Sequence, residues 1–199
     1  MHHNDLPDGL DLGKEVAVDS ETMGLNVNRD RLCLVQLSAG DETCHLVQFA
    51  AGSYDAPNLK RLFADPSVTK LFHFARFDLA MIQHHLGVAC RPVYCTKVAS
   101  KLARTFTDRH SLRDLCKELL EVDISKQQQS SDWGAAKLSD EQLRYAATDV
   151  LYLHRLKAIL DDMLEREGRR DLAQACFDFL PARAAIDLAG WNDVDVLAH

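Results

Sequence analysis

The pattern of hydrophobic and polar positions changes character about a third of the way along the 199-residue chain. In the first part, an apolar run over residues 16–18 stops at Asp19, residues 31–38 are apolar on both faces of an alternating pattern, and residues 43–49 form a third run. Runs that are apolar on both faces are typical of central strands covered on both sides. We therefore expect three strands that form an antiparallel meander.

From about residue 57 onward, helical spacing alternates with short apolar runs. The pattern predicts helices over residues 57–64, 75–86, 96–103, 111–120 and 139–167, strands over 70–74 and 93–96, and a polar loop over 126–133. Gly87 is suited to end the second helix and Ser111 to cap the fourth. Ser139 and Gln142 fit a capping box at the start of the longest helix, which should end at Gly168. Together, these elements predict an α/β protein with a mixed sheet flanked by helices.

Composition places the chain among ordinary globular proteins. Hydrophobic residues make up 47% and charged residues 27%, and a chain of this length supports one core. We expect a single domain over residues 1–199, with a core of about 14–167 and a helical tail over 169–199 that packs on its own domain or builds subunit contacts. The six cysteines show no metal-site spacing, the first residues lack the basic and apolar stretches typical of a secretory leader, and no apolar run reaches the length of a membrane span. A cytoplasmic protein with free thiols and no membrane contact is expected.

The formal net charge of −7 argues against a protein that follows long nucleic acid by neutralising phosphates. However, residues 91–113 contain six basic residues and one acid, a formal charge of +5. Such a run is usually a solvated helix face. The alternative is phosphate contact, for which we favour Arg104, Arg109 and His110.

Acidic residues occur where a hydrophobic core would not accommodate them. Asp19 and Glu21 lie at the end of a buried strand, where strand alternation places them on the same face. Two carboxylates that close repel each other, so one is protonated or a cation lies between them. Oxygen ligands favour a hard ion such as Mg²⁺ or Mn²⁺. The alternative is that both side chains face water at a strand end.

Two further positions extend this acidic set. Asp78 lies in the first turn of a predicted helix directly after a strand, where the helix N-terminus alone would stabilise it. Tyr145 and Asp149 are four residues apart and share a helix face. One interpretation is a buried structural pair in which the Tyr hydroxyl is hydrogen-bonded to the Asp. The alternative is a catalytic pair that holds a water molecule between a metal ion and a reacting phosphate. Four carboxylates can hold the two divalent ions that phosphodiester hydrolysis uses.

The order, spacing and structural context of these residues resemble the ribonuclease D-like branch of the DEDD 3′–5′ exonucleases, in its tyrosine subclass (DEDDy). The resemblance covers about residues 14–165, and the segments that carry it are 19–25, 73–78, 130–133, 138–143 and 145–153. Further segments are similar to the nano-RNase C group of that family, and they are 28–33, 72–79, 95–102, 107–110, 124–133 and 176–181.

The resemblance implies a ribonuclease H-like fold and two-metal release of 5′-mononucleotides from the 3′ end of short single-stranded RNA, preferentially dinucleotides. It also implies a ring-shaped homo-octamer. Asp19, Glu21 and Asp149 would bind the ion that activates water, and Asp19 would bridge to a second ion. Asp78 would hold that second ion, and Tyr145 would orient the nucleophile.

The resemblance adds candidates for substrate contact. These are Met23, Gly24, Leu25 and His73 near the acidic set, and Lys126, Gln127 and Ser130 on the polar loop, which could bind a 5′ phosphate. Leu25 matches the position of an apolar wedge between bases, although a loop leucine that covers the sheet is an equal alternative. His73 is expected to be a structural, hydrogen-bonded histidine. Two other functions stay open: a less selective ribonuclease D-like exonuclease on longer RNA or DNA, such as tRNA 3′ trimming, and a non-catalytic nucleic-acid-binding module.

Overall fold

The structure is a computed structural model that describes residues 1–124 and 131–198. Its strands are β1 (His2–His3), β2 (Glu15–Thr22), β3 (Leu32–Ser38), β4 (His45–Gln48), β5 (Thr69–Phe72) and β6 (Val93–Cys95). They form one mixed sheet in the order β1-β4-β3-β2-β5-β6. β2, β3 and β4 are the predicted antiparallel meander, β5 runs parallel to β2, and β6 runs parallel to β5.

The described helices are α1 (Pro57–Ala64), α2 (Ala75–Leu86), α3 (Thr96–Ala103), α4 (Leu112–Leu120), α5 (Asp140–Leu151), α6 (Leu153–Arg166) and α7 (Arg170–Ile186). A π-helical turn, Asp187–Trp191, follows α7, and Gly190 within it departs from helical geometry with a φ of 100°. The signals at the helix ends act as predicted. Ser111 accepts a hydrogen bond from the backbone N–H of Asp114, Gly87 ends α2 at a φ of 68°, and both hydrogen bonds of the Ser139–Gln142 capping box are present.

The strand that carries Asp19 and Glu21 extends beyond its apolar run. β2 continues to Thr22, because β3 pairs with it along this whole stretch, so both carboxylates lie on the strand itself. The predicted helix over 139–167 is two helices, interrupted at Tyr152. Periodicity does not reveal this break, because the buried apolar stripe continues across it from Val150 to Leu153. The short edge strand β1, which pairs with β4 in parallel, was also not predicted.

The sheet separates two apolar clusters. Every residue of β3 is buried, as expected of a central strand covered on both faces. The larger cluster includes side chains from α2, α6 and α7. The smaller cluster contains Leu34 and Leu46 of the sheet, Ala146 of α5, and Trp133.

The structure also bears on the thiols and on membrane insertion. All six cysteines are free, and four of them are buried. Across residues 1–124 and 131–198, no helix combines the length and apolar character needed to cross a bilayer.

Candidate active site

Three carboxylates converge where α5 crosses the sheet. Asp19 and Glu21 extend from one face of β2, and Asp149 comes from the last turns of α5. One oxygen of each lies within 4.8 Å of the other two. The amide of Gln36 on the neighbouring strand β3 donates to Asp19 Oδ2 at 3.4 Å. The strand face that carries Asp19 and Glu21 therefore lies next to the helix face that carries Asp149.

Asp78 lines the same cleft but stands outside this group of three. It is in the first turn of α2 and is only 4% exposed. Ser20 Oγ donates a hydrogen bond to Asp78 Oδ1 at 2.6 Å. Since Ser20 lies between Asp19 and Glu21, this bond joins Asp78 to the strand that carries two of the other carboxylates.

The four carboxylates share an unfavourable electrostatic environment. Burial and the negative charges around it raise the pKa of Asp19 well above its ordinary value, and they raise the pKa of Glu21 to about 9. Burial raises the pKa values of Asp78 and Asp149 to about 7. In the described part of the chain, none of the four forms an ion pair with a basic side chain. A set of oxygen ligands whose charge is uncompensated fits hard divalent cations.

Tyr145 lies on α5 one turn before Asp149 and lines the cleft. Burial and the charges of Asp149 and Glu21 raise the pKa of its phenol, so the hydroxyl keeps its proton at neutral pH. Its ring packs at a tilt against the buried Trp133, with 6.1 Å between ring centroids. The phenol is thus a hydrogen-bond donor on a firmly packed ring next to the carboxylates.

The cleft has a volume of about 670 Å³ and contains four of the predicted substrate residues. Met23 and Leu25 are apolar side chains on its rim, and Leu25 is 85% exposed. Gly24 lies between them, where a Cβ atom would overlap the Asp30 carboxylate. His73 is hydrogen-bonded to Thr96 Oγ1 at 2.9 Å, and burial lowers the pKa of its imidazole to about 3. It forms part of the wall as a neutral side chain.

The structure does not bring Arg104, Arg109 and His110 to the cleft. Arg104 is 1% exposed; its guanidinium forms an ion pair with Glu118 and donates to the backbone oxygen of Arg109 at 2.9 Å. Arg109 lies 2.9 Å from the same glutamate, and His110 Nδ1 lies 2.8 Å from Ser100 Oγ. These contacts use the Arg104 side chain inside the protein and do not support the predicted phosphate contact, which stays a prediction. Lys126, Gln127 and Ser130 lie outside the described residues.

Two other basic residues of the same segment do line the cleft, and sequence reasoning missed both. They are Lys97 and Arg113. Lys97 Nζ lies 4.2 Å from the ring centroid of Phe74, another residue of the cleft. Helical spacing indicates that Arg104 is buried, because it follows the buried Ser100 of α3 by four residues, about one turn. A count of charges along the segment does not separate the buried face from the exposed one.

Known proteins match this chain over the elements that build the cleft. A family model described as 3′–5′ exonuclease matches residues 4–165. Ribonuclease D of Gluconacetobacter diazotrophicus is 38% identical over 156 residues, which are 78% of this chain and 39% of that protein. DNA polymerase I of Aquifex aeolicus is 36% identical over 74% of this chain and 24% of its own length. The chain thus spans about two fifths of the length of this ribonuclease D and about a quarter of the length of this DNA polymerase I.

Solved structures extend the likeness to the full chain. Brucella melitensis NrnC bound to pGG is 57% identical with a TM-score of 0.97, and the match covers 100% of this chain and 97% of that one. The same protein with bound Mg²⁺ is 56% identical with a TM-score of 0.96 over the same shares. Escherichia coli RNase D is 25% identical with a TM-score of 0.75, over 86% of this chain and 45% of that one. On these grounds the chain, with its ribonuclease H-like mixed sheet and acidic cleft, belongs to the 3′–5′ exonuclease family.

Proposed function

We propose that this protein is a 3′–5′ exoribonuclease that hydrolyses very short RNA, preferentially dinucleotides, to 5′-mononucleotides. The observation that carries the proposal is the group formed by Asp19, Glu21 and Asp149, whose oxygens lie within 4.8 Å of one another in a cleft shared with Asp78 and Tyr145. The preference for short RNA is supported by the full-length similarity to NrnC, a protein solved with pGG.

The carboxylates are suited to hold two divalent ions, Mg²⁺ or Mn²⁺. Asp19, Glu21 and Asp149 would hold the first, and Asp78 would hold the second together with Asp19. Such ions, when bound, lower the pKa of a water molecule and stabilise the charge that develops on a phosphate. The separation of Asp78 from the other three supports this division of the ligands.

The other residues of the cleft bind and orient the reactants. The protonated phenol of Tyr145 donates a hydrogen bond that places the attacking water. The water attacks the terminal phosphodiester, the P–O3′ bond breaks, and the 3′ residue leaves as a 5′-mononucleotide while the remaining RNA keeps a 3′ hydroxyl. Met23 and Leu25 contact bases from the rim, and Lys97 and Arg113 supply positive charge for phosphates.

We further propose that the protein acts in the cytoplasm as a ring-shaped homo-octamer built from single-domain subunits. The C-terminal segment supports self-association, since Trp191, Val194 and Leu197 are exposed apolar side chains. In contrast, Phe177 and Leu180 of α7 pack into the main core, which supports one domain that includes the tail. Sedimentation of the purified chain tests the assembly, and a 22.3 kDa monomer would contradict it.

A less selective exonuclease acting on longer RNA or DNA is the second candidate. It is favoured by the ribonucleases D among the curated relatives. A non-catalytic binding module is the weakest candidate, because the four carboxylates and the tyrosine are all present.

A time course on 5′-labelled RNAs of two to seven nucleotides, with Mg²⁺ or Mn²⁺, separates the three candidates. Preferential loss of the dinucleotide supports the proposal. Accumulation of dinucleotide from longer RNA favours the less selective exonuclease, and an absence of hydrolysis with either ion favours the binding module. The Asp149→Asn protein serves as the control for contaminating nucleases.

A further inference from the structure

Helix α2, which carries Asp78, begins without local support. Phe74 precedes it with a φ of 69°, a left-handed conformation that is strained for a bulky side chain. Within residues 1–124 and 131–198, no side chain forms a capping hydrogen bond at this position. The local sequence therefore does little to fix where the first turn lies, and tertiary contacts must hold it.

One such contact comes from the opposite end of the chain. Arg76, in the first turn of α2, binds the carboxylate of Asp187 in the π-helical turn, with Nε 2.5 Å from Oδ2 and Nη2 2.8 Å from Oδ1. Nη2 also donates to the backbone oxygen of Asn192 at 2.5 Å. Asp187 is buried, and this two-bond geometry is the strongest that an arginine and a carboxylate can form.

The first turn of α2 is consequently held from two sides. Residues two positions apart lie about 200° apart around a helix, so Arg76 and Asp78 leave the turn in nearly opposite directions. Asp78 accepts the hydrogen bond from Ser20 of β2, whereas Arg76 reaches Asp187 beyond α7.

We propose that Arg76 and Asp187 are positioning residues that hold the first turn of α2, so that the Asp78 carboxylate faces the other three in the cleft. The inference rests on the proposed function, in which Asp78 holds the second divalent ion. It makes the C-terminal turn a structural part of the catalytic cleft, although Asp187 is 111 positions away from Arg76.

A matched pair of variants tests this role. Arg76→Met releases α2 from Asp187. Arg183→Met removes the other arginine of the same carboxylate, which lies 3.0 Å from Oδ1 on α7 itself, and leaves α2 attached. Each change removes one of the two arginines that pair with the buried Asp187. A general loss of stability should therefore affect both variants.

Three readouts report the position of the first turn. We expect Arg76→Met to speed hydrogen exchange of the amides of residues 75–79 in the protein without RNA. Calorimetric titration with Mn²⁺ alone should show one ion bound roughly tenfold more weakly, as for other changes that misplace a ligand. With RNA dinucleotide, kcat should fall about tenfold while KM stays nearly constant. Arg183→Met should leave all three close to the parent values, even where its melting temperature falls.

Unchanged exchange and Mn²⁺ binding in Arg76→Met would overturn the proposal. Equal changes in both variants would overturn it too, because they would show a general loss of stability. If Arg76→Met does not fold, Arg76→Lys replaces it under the same criteria, since one ammonium group cannot reproduce the two-bond contact. If the parent protein hydrolyses no RNA, the proposed function fails, while exchange and Mn²⁺ titration still decide the positioning role.

Discussion

Two regions of this molecule bury charged side chains, and they differ in how the charge is compensated. In the acidic cleft, the carboxylates of Asp19, Glu21, Asp78 and Asp149 lie together, with pKa values raised by burial and, for all but Asp149, by the negative charge of neighbouring carboxylates. In the basic cluster, which consists of Arg104, Arg109, His110 and Glu118, the buried Arg104 is paired with Glu118 and hydrogen-bonded to the backbone.

The difference separates a binding site from a structural contact. A buried charge whose partners are supplied by the protein already has its interactions and contributes to the fold. Buried charges of one sign without partners destabilise the protein until a ligand compensates them, which is a common property of functional sites. Substitutions in the acidic cleft should therefore abolish activity without loss of stability. Substitutions in the basic cluster should lower stability without loss of activity.

The largest expected effect is on catalysis in the acidic cleft. Asp149→Asn and Asp19→Asn should each lower kcat/KM by at least about 10³-fold, comparable to the loss of a group that stabilises charge in a transition state. The metal-free variants should be at least as stable as the parent, because one repelling carboxylate is gone. Urea unfolding without metal and hydrolysis of RNA dinucleotide measure the two quantities. Near-normal turnover in either variant would show that its carboxylate has been wrongly assigned.

The second prediction is that substitution in the basic cluster lowers stability and leaves turnover unchanged. Arg104→Met should reduce the free energy of unfolding by about 3 kcal/mol, because Glu118 and the backbone oxygen of Arg109 lose their buried partner. Turnover per folded molecule should stay close to the parent value. Arg109→Met is the matched control: its side chain is mostly exposed, so its loss should cost about 1 kcal/mol or less. A large loss of turnover in Arg104→Met without unfolding would contradict the structural role.

The sequence predicted the acidic cleft well because local geometry was sufficient. Alternation along β2 sets Asp19 and Glu21 on one face, and four-residue spacing on α5 sets Tyr145 beside Asp149. The antiparallel meander and the limits of α1, α2 and α3 were confirmed for the same reason, since apolar period and capping residues act within a few positions.

What the sequence did not predict depends on tertiary contacts. Arg104 carries the same charge as Lys97, and only the packing of α3 shows that one is buried and the other lines the cleft. The break at Tyr152 leaves the apolar stripe unchanged, so no periodicity reveals it. The contact between Arg76 and Asp187 joins distant parts of the chain, and neither residue is unusual in its local context.

The third prediction concerns pH and metal in the acidic cleft. The pKa of Glu21 is raised from 4.5 to about 9, and that of Asp149 from 3.8 to about 7, so the metal-free folded protein holds protons that the unfolded chain releases above about pH 4. Its stability should therefore fall as pH rises from about 4 through about 7 to 9. Mn²⁺ should reverse this trend, because it binds the ionised carboxylates and stabilises the folded state.

Thermal unfolding measured at several pH values, with EDTA and with Mn²⁺, provides the data. Asp149→Asn removes one of the raised pKa values, so it should flatten the pH dependence in EDTA and weaken the response to Mn²⁺. Arg104→Met should shift all melting temperatures down and leave both dependences as they are in the parent. Metal-free stability that rises over the same pH range would contradict the electrostatic account of the cleft.

The smallest expected effect is on the salt dependence of RNA binding, which should differ between basic residues of the cleft and those of the basic cluster. Each phosphate contact with single-stranded RNA contributes about −0.7 to the slope of log affinity against log salt concentration. Lys97→Met should make this slope less negative by about that amount, since Lys97 lines the cleft. Arg109→Met should leave the slope unchanged, because Asp114 and Glu118 hold its guanidinium. Binding would be measured in the Asp149→Asn background, where RNA stays intact. An equal change in both variants would mean that the basic cluster also meets phosphate, and that compensation by nearby carboxylates does not by itself mark an arginine as structural.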